Sequence, residues 1–154
     1  MTVDVRWLDT TQQRAWRAFL DVHARLMARL NRELQRTSGL TLSDYDILVH
    51  LTDVPEGRLR AYELGDALQW DKSRVSKQVA RLAARDLVAK EECEADRRGA
   101  YVVLTPTGRR AIEAAAPAHV ELVQQLVFDG ITPSQVRTWH AVSGEILNRL
   151  AAVD

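Results

Sequence analysis

A mainly α fold with one small β-hairpin is predicted by three features of the 154-residue sequence. Over most of the chain apolar residues recur at spacings of three and four, the period of a helix with one buried face. Two short strand-like runs, Leu87–Glu94 and Ala100–Thr105, are joined by the polar tip Ala95-Asp96-Arg97-Arg98-Gly99. Just before them lie a short helix pattern, a turn at Gln69-Trp70-Asp71, and a second helix with five basic residues and no acid from Lys72 to Arg85. Helix, turn, basic helix and then a hairpin with arginines at its tip is the layout of a winged helix-turn-helix. That layout points to duplex DNA as the partner.

Residues 1–9 carry little pattern beyond the apolar pair Trp7-Leu8. From Thr10 or Thr11, either a suitable N-cap, a long helix is predicted to about Thr37. Its apolar stripe is Trp16, Phe19, Leu20, His23, Leu26, Met27, Leu30 and Leu34, and Gly39 ends it with positive φ. The other face carries Arg14, Arg17, Arg25, Arg29, Arg32 and Arg36. A helix this long exceeds what a small winged domain can cover, so part of the stripe is expected to pack on another chain. A second helix begins at Leu42-Ser43-Asp44-Tyr45, with Ser43 as the expected cap and Tyr45, Leu48 and Leu51 inward. Pro55-Glu56-Gly57 is a turn, and Ala61–Leu68 a short helix with Leu64 and Leu68 buried.

Asp71 is placed to cap the basic helix, since its carboxylate can accept first-turn amide hydrogens. A helical wheel from Lys72 puts Val75, Val79 and Leu82 inward and Ser73, Arg74, Lys77, Ala80, Arg81 and Ala84 outward. Long donors that reach base edges, with alanines that permit close approach, are what entry into a major groove requires. After the hairpin, Thr105 caps another helix with Pro106 at its first position, and Pro117 is expected to kink it. Asp129-Gly130 ends that helix, and Thr132-Pro133 starts a last one with Val136, Trp139, His140, Ile146, Leu147 and Leu150 as its stripe.

Net charge is zero, yet it is unevenly placed. Residues 1–57 hold seven Lys/Arg and eight Asp/Glu, residues 58–110 twelve and eight, and residues 111–154 two and five. The positive excess therefore sits in the segment that the helix-turn-helix reading needs. No apolar run approaches the ~20 residues of a bilayer span, and the N-terminus lacks a signal pattern, so a cytoplasmic protein is expected. A single cysteine excludes an intramolecular disulfide.

With Asp71–Val79, the wing Asp96-Arg97-Arg98-Gly99, Leu104-Thr105-Pro106-Thr107-Gly108 and the entry Gly39–Tyr45 taken together, the sequence resembles the MarR family of bacterial transcriptional regulators over nearly its whole length. The resemblance implies a homodimer whose N- and C-terminal helices interlock, with residues 1–37 and 106–154 as a helical dimerisation region. Residues 38–105 would then be the winged helix-turn-helix DNA-binding domain. It further implies repression of nearby genes, with release from the operator when a small phenolic or anionic effector binds. By position, Arg98 is the wing arginine that enters a minor groove, and Asp96 braces it.

The candidate DNA-binding residues are Lys72, Ser73, Arg74, Ser76, Lys77, Gln78, Arg81, Arg97 and Arg98, with Asp96 as wing support. Candidate effector-pocket residues are Trp16, Phe19, His23, Tyr45 and Trp70, although aromatics at helical spacing more often serve the core. An alternative makes Cys93 a redox sensor, but Glu91, Glu92 and Glu94 disfavour a thiolate there. His23, His50, His119 and His140 show no ligand-like spacing, so neither a metal nor a cofactor is expected. No nucleophile–base pair or phosphate-binding loop suggests an enzyme. A winged helix devoted to protein contact would be expected to lose the basic outward face that this chain keeps.

Overall fold

The computed structural model describes residues 4–92 and 99–153, and the chain forms two compact units, Met1–Ala115 and Ala116–Asp154. In the first, helix α1 (Thr10–Ser38) is capped by Asp9 rather than by Thr10 or Thr11. Asp9 accepts from the Gln12 amide at 2.8 Å, and the Gln12 side chain accepts from the Asp9 amide at 3.0 Å, a reciprocal cap. Gly39, at φ +71°, closes the helix by donating to the Gln35 carbonyl, as its sequence position implies.

Helix α2 (Leu42–Thr52) follows. Its cap is Thr41, not Ser43, because Thr41 and Asp44 stand at the spacing that lets each side chain bond the other's amide. Strand β1 (Arg58–Arg60) leads into α3 (Ala61–Leu68) and α4 (Lys72–Ala84). Strands β2 (Val88–Glu91) and β3 (Tyr101–Leu104) are shorter than the two runs suggested, and the sheet has a third strand, in the antiparallel order β1-β3-β2. Arg-Leu-Arg carries no strand signal of its own. It is extended because Leu59 pairs with Val102 across the sheet.

The core of this unit gathers Leu34 and Leu40, Ile47, Leu48 and Leu51 of α2, and Leu64 of α3. Val75, Val79 and Leu82 of α4 join them, with Val88, Val102, Ile112 and Ala115. Helix α5 (Pro106–Val123) begins here, with Thr105 Oγ1 accepting from the Gly108 amide at 2.9 Å. The helix runs on through Pro117.

In the second unit, α5 passes into a wider turn, Gln124–Phe128, closed by Asp129 N donating to the Gln124 carbonyl five residues back. Helix α6 (Pro133–Ala151) is capped by Thr132 with Pro133 at its first position, as expected. None of its residues is buried. No helix among the described residues is long and apolar enough to cross a membrane.

Candidate nucleic-acid interface

The turn between α3 and α4 sets where the basic helix emerges. Gln69 takes a left-handed conformation at φ 54°, and the Trp70 amide donates to the Gly65 carbonyl at 2.9 Å. A Cβ at Gly65 would lie 3.1 Å from the Trp70 carbonyl oxygen, so glycine is what lets the turn fold back this closely. Asp71 then caps α4 by accepting from the Arg74 amide at 2.8 Å. Val75, Val79 and Leu82 are buried, which fixes the helix face. Opposite them, Ser73, Arg74, Lys77, Ala80, Arg81 and Ala84 are all exposed, the division the helical wheel predicts.

Lys72 and Ser76 are exposed as well. The Arg74 guanidinium lies over the Trp70 ring, 4.1 Å from its centroid, which restricts how far this long side chain can wander. Burial raises the Asp46 carboxyl above the ordinary carboxylate range, and nearby His50 and Arg74 oppose that shift. Gln78 differs from its neighbours. It is half-buried, and its amide donates to the buried Asp44 carboxylate of α2. Arg85, just past α4, donates to the same carboxylate at 3.3 Å and to the Gly39 carbonyl at 3.3 Å. Helical spacing could place Gln78 beside the outward face, but it could not reveal an acid 34 positions upstream in sequence.

The base of the hairpin is held by a second group that the sequence did not single out. The guanidinium groups of Arg58 and Arg60 each lie 3.9 Å from the centroid of the Tyr101 ring. Arg60 is buried and donates to the Gly99 carbonyl at 2.8 Å, while Arg58 pairs with Glu91 at 3.4 Å. These contacts stiffen the strands at the point where the wing begins. The wing residues Asp96, Arg97 and Arg98, and Cys93 with them, lie outside the described residues.

The five aromatic candidates divide between three settings. Trp16, Phe19 and His23 stack along α1 with ring centroids 5.6 and 6.4 Å apart, on a face the single chain leaves exposed. Tyr45 belongs to the core. Trp70 lines a groove of about 540 Å³ between α3, α4 and the hairpin, where Tyr62, Lys72, Ser76 and Lys90 also stand.

The sequence profile of the MarR family matches residues 38–99, from the end of α1 to Gly99, just before β3. AbsC, a MarR family transcriptional regulator from Streptomyces coelicolor, is 37% identical and superposes with a TM-score of 0.89 over 96% of this chain and 99% of its own. The chain belongs to the MarR family. A second family member from Streptomyces coelicolor, Sco3205, solved in complex with DNA, is 35% identical with a TM-score of 0.88 over 94% of both chains. An uncharacterised HTH-type transcriptional regulator of Bacillus subtilis, YxaD, is 26% identical over 121 residues, 79% of this chain and 80% of its own. The protein is thus a MarR family transcriptional regulator with a winged helix-turn-helix fold, and its relatives are regulators rather than enzymes.

Proposed function

We propose that this regulator is a homodimer that binds an inverted-repeat operator in double-stranded DNA, represses the adjacent genes and leaves the operator when a small phenolic or anionic effector binds. The observation that carries the reading is the outward face of α4. Three cations, a serine and two alanines are exposed on one side of a helix whose other side is locked into the core. That face suits a major groove, where Ser73, Arg74 and Lys77 would meet base edges and Lys72 and Arg81 the phosphates. Sco3205, solved in complex with DNA, supports DNA as the partner of a chain this similar. Two-fold symmetry would set the half-sites about 10 base pairs apart. For the effector, the groove beside Trp70 offers the rings of Tyr62 and Trp70 to a small aromatic molecule, with Lys72 and Lys90 to meet an anionic group and Asp66 and Glu92 to accept from a phenolic hydroxyl.

The test is fluorescence anisotropy of a labelled duplex that the full-length chain selects from a randomised pool, titrated over a range of salt. Affinity should fall linearly in log–log form with salt, by about 0.9 in slope for each phosphate neutralised. A chain that selects nothing, or binds with no salt dependence, refutes the proposal. Arg98→Ala is expected to weaken binding to the selected duplex strongly without changing the melting temperature, since the resemblance makes Arg98 of Asp96-Arg97-Arg98-Gly99 the wing arginine. Unchanged affinity at fixed salt would remove the wing from the reader.

A further inference from the structure

Asp44 and Arg60 are the buried charged residues among those described, and Asp44 is fully enclosed. Its carboxylate accepts from three residues. Oδ2 accepts from the Thr41 amide at 2.8 Å, closing the cap of α2, and from Arg85 Nη1 at 3.3 Å. Oδ1 accepts from the Gln78 side-chain amide. Arg85 in turn reaches the Gly39 carbonyl, where α1 ends.

Gln78 and Arg85 are seven residues apart, so they lie on the same side of α4, about 10 Å apart along its axis. One carboxylate therefore holds the basic helix at two separated points. The apolar ridge of Val75, Val79 and Leu82 keeps α4 on the core, but apolar burial is non-directional and tolerates small rotations. Hydrogen bonds weaken steeply as their angle departs from linear, so the two bonds to Asp44 resist rotation that the ridge alone would allow. Rotation matters here because it swings Ser73, Arg74, Lys77 and Arg81 together across whatever the helix faces.

We infer that Asp44 is a positioning residue for the recognition helix, acting through Gln78 and Arg85, and that Gln78 serves this bracket rather than a base edge. The inference rests on the proposed reading of α4 as the DNA reader. It takes Gln78 out of the set that recognises sequence and adds Asp44 and Arg85, which touch no base, to the set that governs specificity.

The experiment uses the full-length chain, the duplex that the wild-type selects from a randomised pool, and a scrambled duplex of the same length. Asp44→Asn and Gln78→Ala are each expected to lose about tenfold or more in affinity for the selected duplex, the scale of misaligned base contacts. Affinity for the scrambled duplex, which depends on phosphate charge, should stay within about twofold. Repeated selection with either variant should show preference weakened at all contacted positions alike. The double variant should be no worse than the more affected single one, because both changes break the same contact. Arg85→Lys keeps the charge, loses the fork that spans Asp44 and Gly39, and changes a residue that is exposed. It carries the same expectation if Asp44→Asn does not fold.

Two results would overturn the inference: a specificity ratio left intact while the melting temperature falls, or a Gln78→Ala preference change confined to one base position that Asp44→Asn does not share. A wild-type chain that selects no sequence would instead overturn the reading of α4 itself, and this inference with it.

Discussion

Ile146→Glu combined with Leu150→Glu is expected to convert the proposed dimer to a monomer in sedimentation and to abolish tight binding to the proposed operator. Helix α6 runs nineteen residues without burying one, while Trp139, Val142, Ile146 and Leu150, spaced by threes and fours, stay between 51% and 57% exposed. An uncovered apolar stripe of this kind marks a surface that a partner covers. Full burial of each side chain is worth roughly 1.5–3 kcal/mol, and about half of that remains to be gained. Four residues on each of two copies then supply roughly 6–12 kcal/mol, against an association cost of roughly 4–15 kcal/mol. The apolar face of α1, with Trp16, Phe19 and Leu20 about half exposed, adds to the favourable side, as the proposed dimer requires. Two glutamates per copy remove apolar surface from the α6 stripe and place charges where burying them is costly. Glutamate is a good helix former, so α6 itself should persist. Without the second half-site held alongside, operator affinity should fall by about 10²–10⁴-fold. A variant that still sediments as a dimer would move the interface away from α6.

What the sequence disclosed depended on how far apart the cooperating residues lie. Asp71 as the cap of α4, Gly39 at positive φ and Thr105-Pro106 opening α5 were all legible, because each signal is complete within four residues. The inward and outward faces of α4 were legible for the same reason, since one helical period decides them. Thr41 and Ser43 are both chemically able to cap α2, and only the reciprocal bond from Asp44 chooses between them. Strand β1 was invisible because three residues show no alternation, and its extended form comes from Val102, far along the chain. The roles of Gln78 and Arg60 were likewise hidden, each bound to a group more than thirty positions away. For Trp16, Phe19 and His23 the periodicity named the apolar face correctly but was silent about what covers it.

The second large effect concerns a residue that the sequence flagged only as part of a motif. Gly108→Ala should lower the melting temperature by roughly 6–12 °C. Helix propensity alone predicts the reverse, because alanine in a helix is favoured over glycine by about 1 kcal/mol. The surroundings decide otherwise. A Cβ at Gly108 would lie 1.9 Å from the Leu87 carbonyl oxygen and 2.9 Å from Leu104 Cδ1. The first obstacle is backbone, so no side-chain rotation relieves it. That same carbonyl accepts from the Thr105 amide at 3.3 Å, and the Thr105 hydroxyl caps the Gly108 amide, so this turn of α5 is tied to the start of β2. Accommodating the methyl means lifting α5 away from the hairpin, which strains those bonds and loosens Ile112 and Ala115 from the core. Overpacking typically costs about 1–3 kcal/mol, with the upper end expected where backbone must move. At about 2–4 °C per kcal/mol for a chain of this length, a loss near 3 kcal/mol gives the stated shift in a calorimetric scan. Because β2 carries one side of the wing, the variant should also bind the selected duplex more weakly at temperatures where it is still folded. An unchanged melting temperature would mean that α5 does not pack on Leu87 this closely, and the contact between the helix and the base of the wing would have to be redrawn.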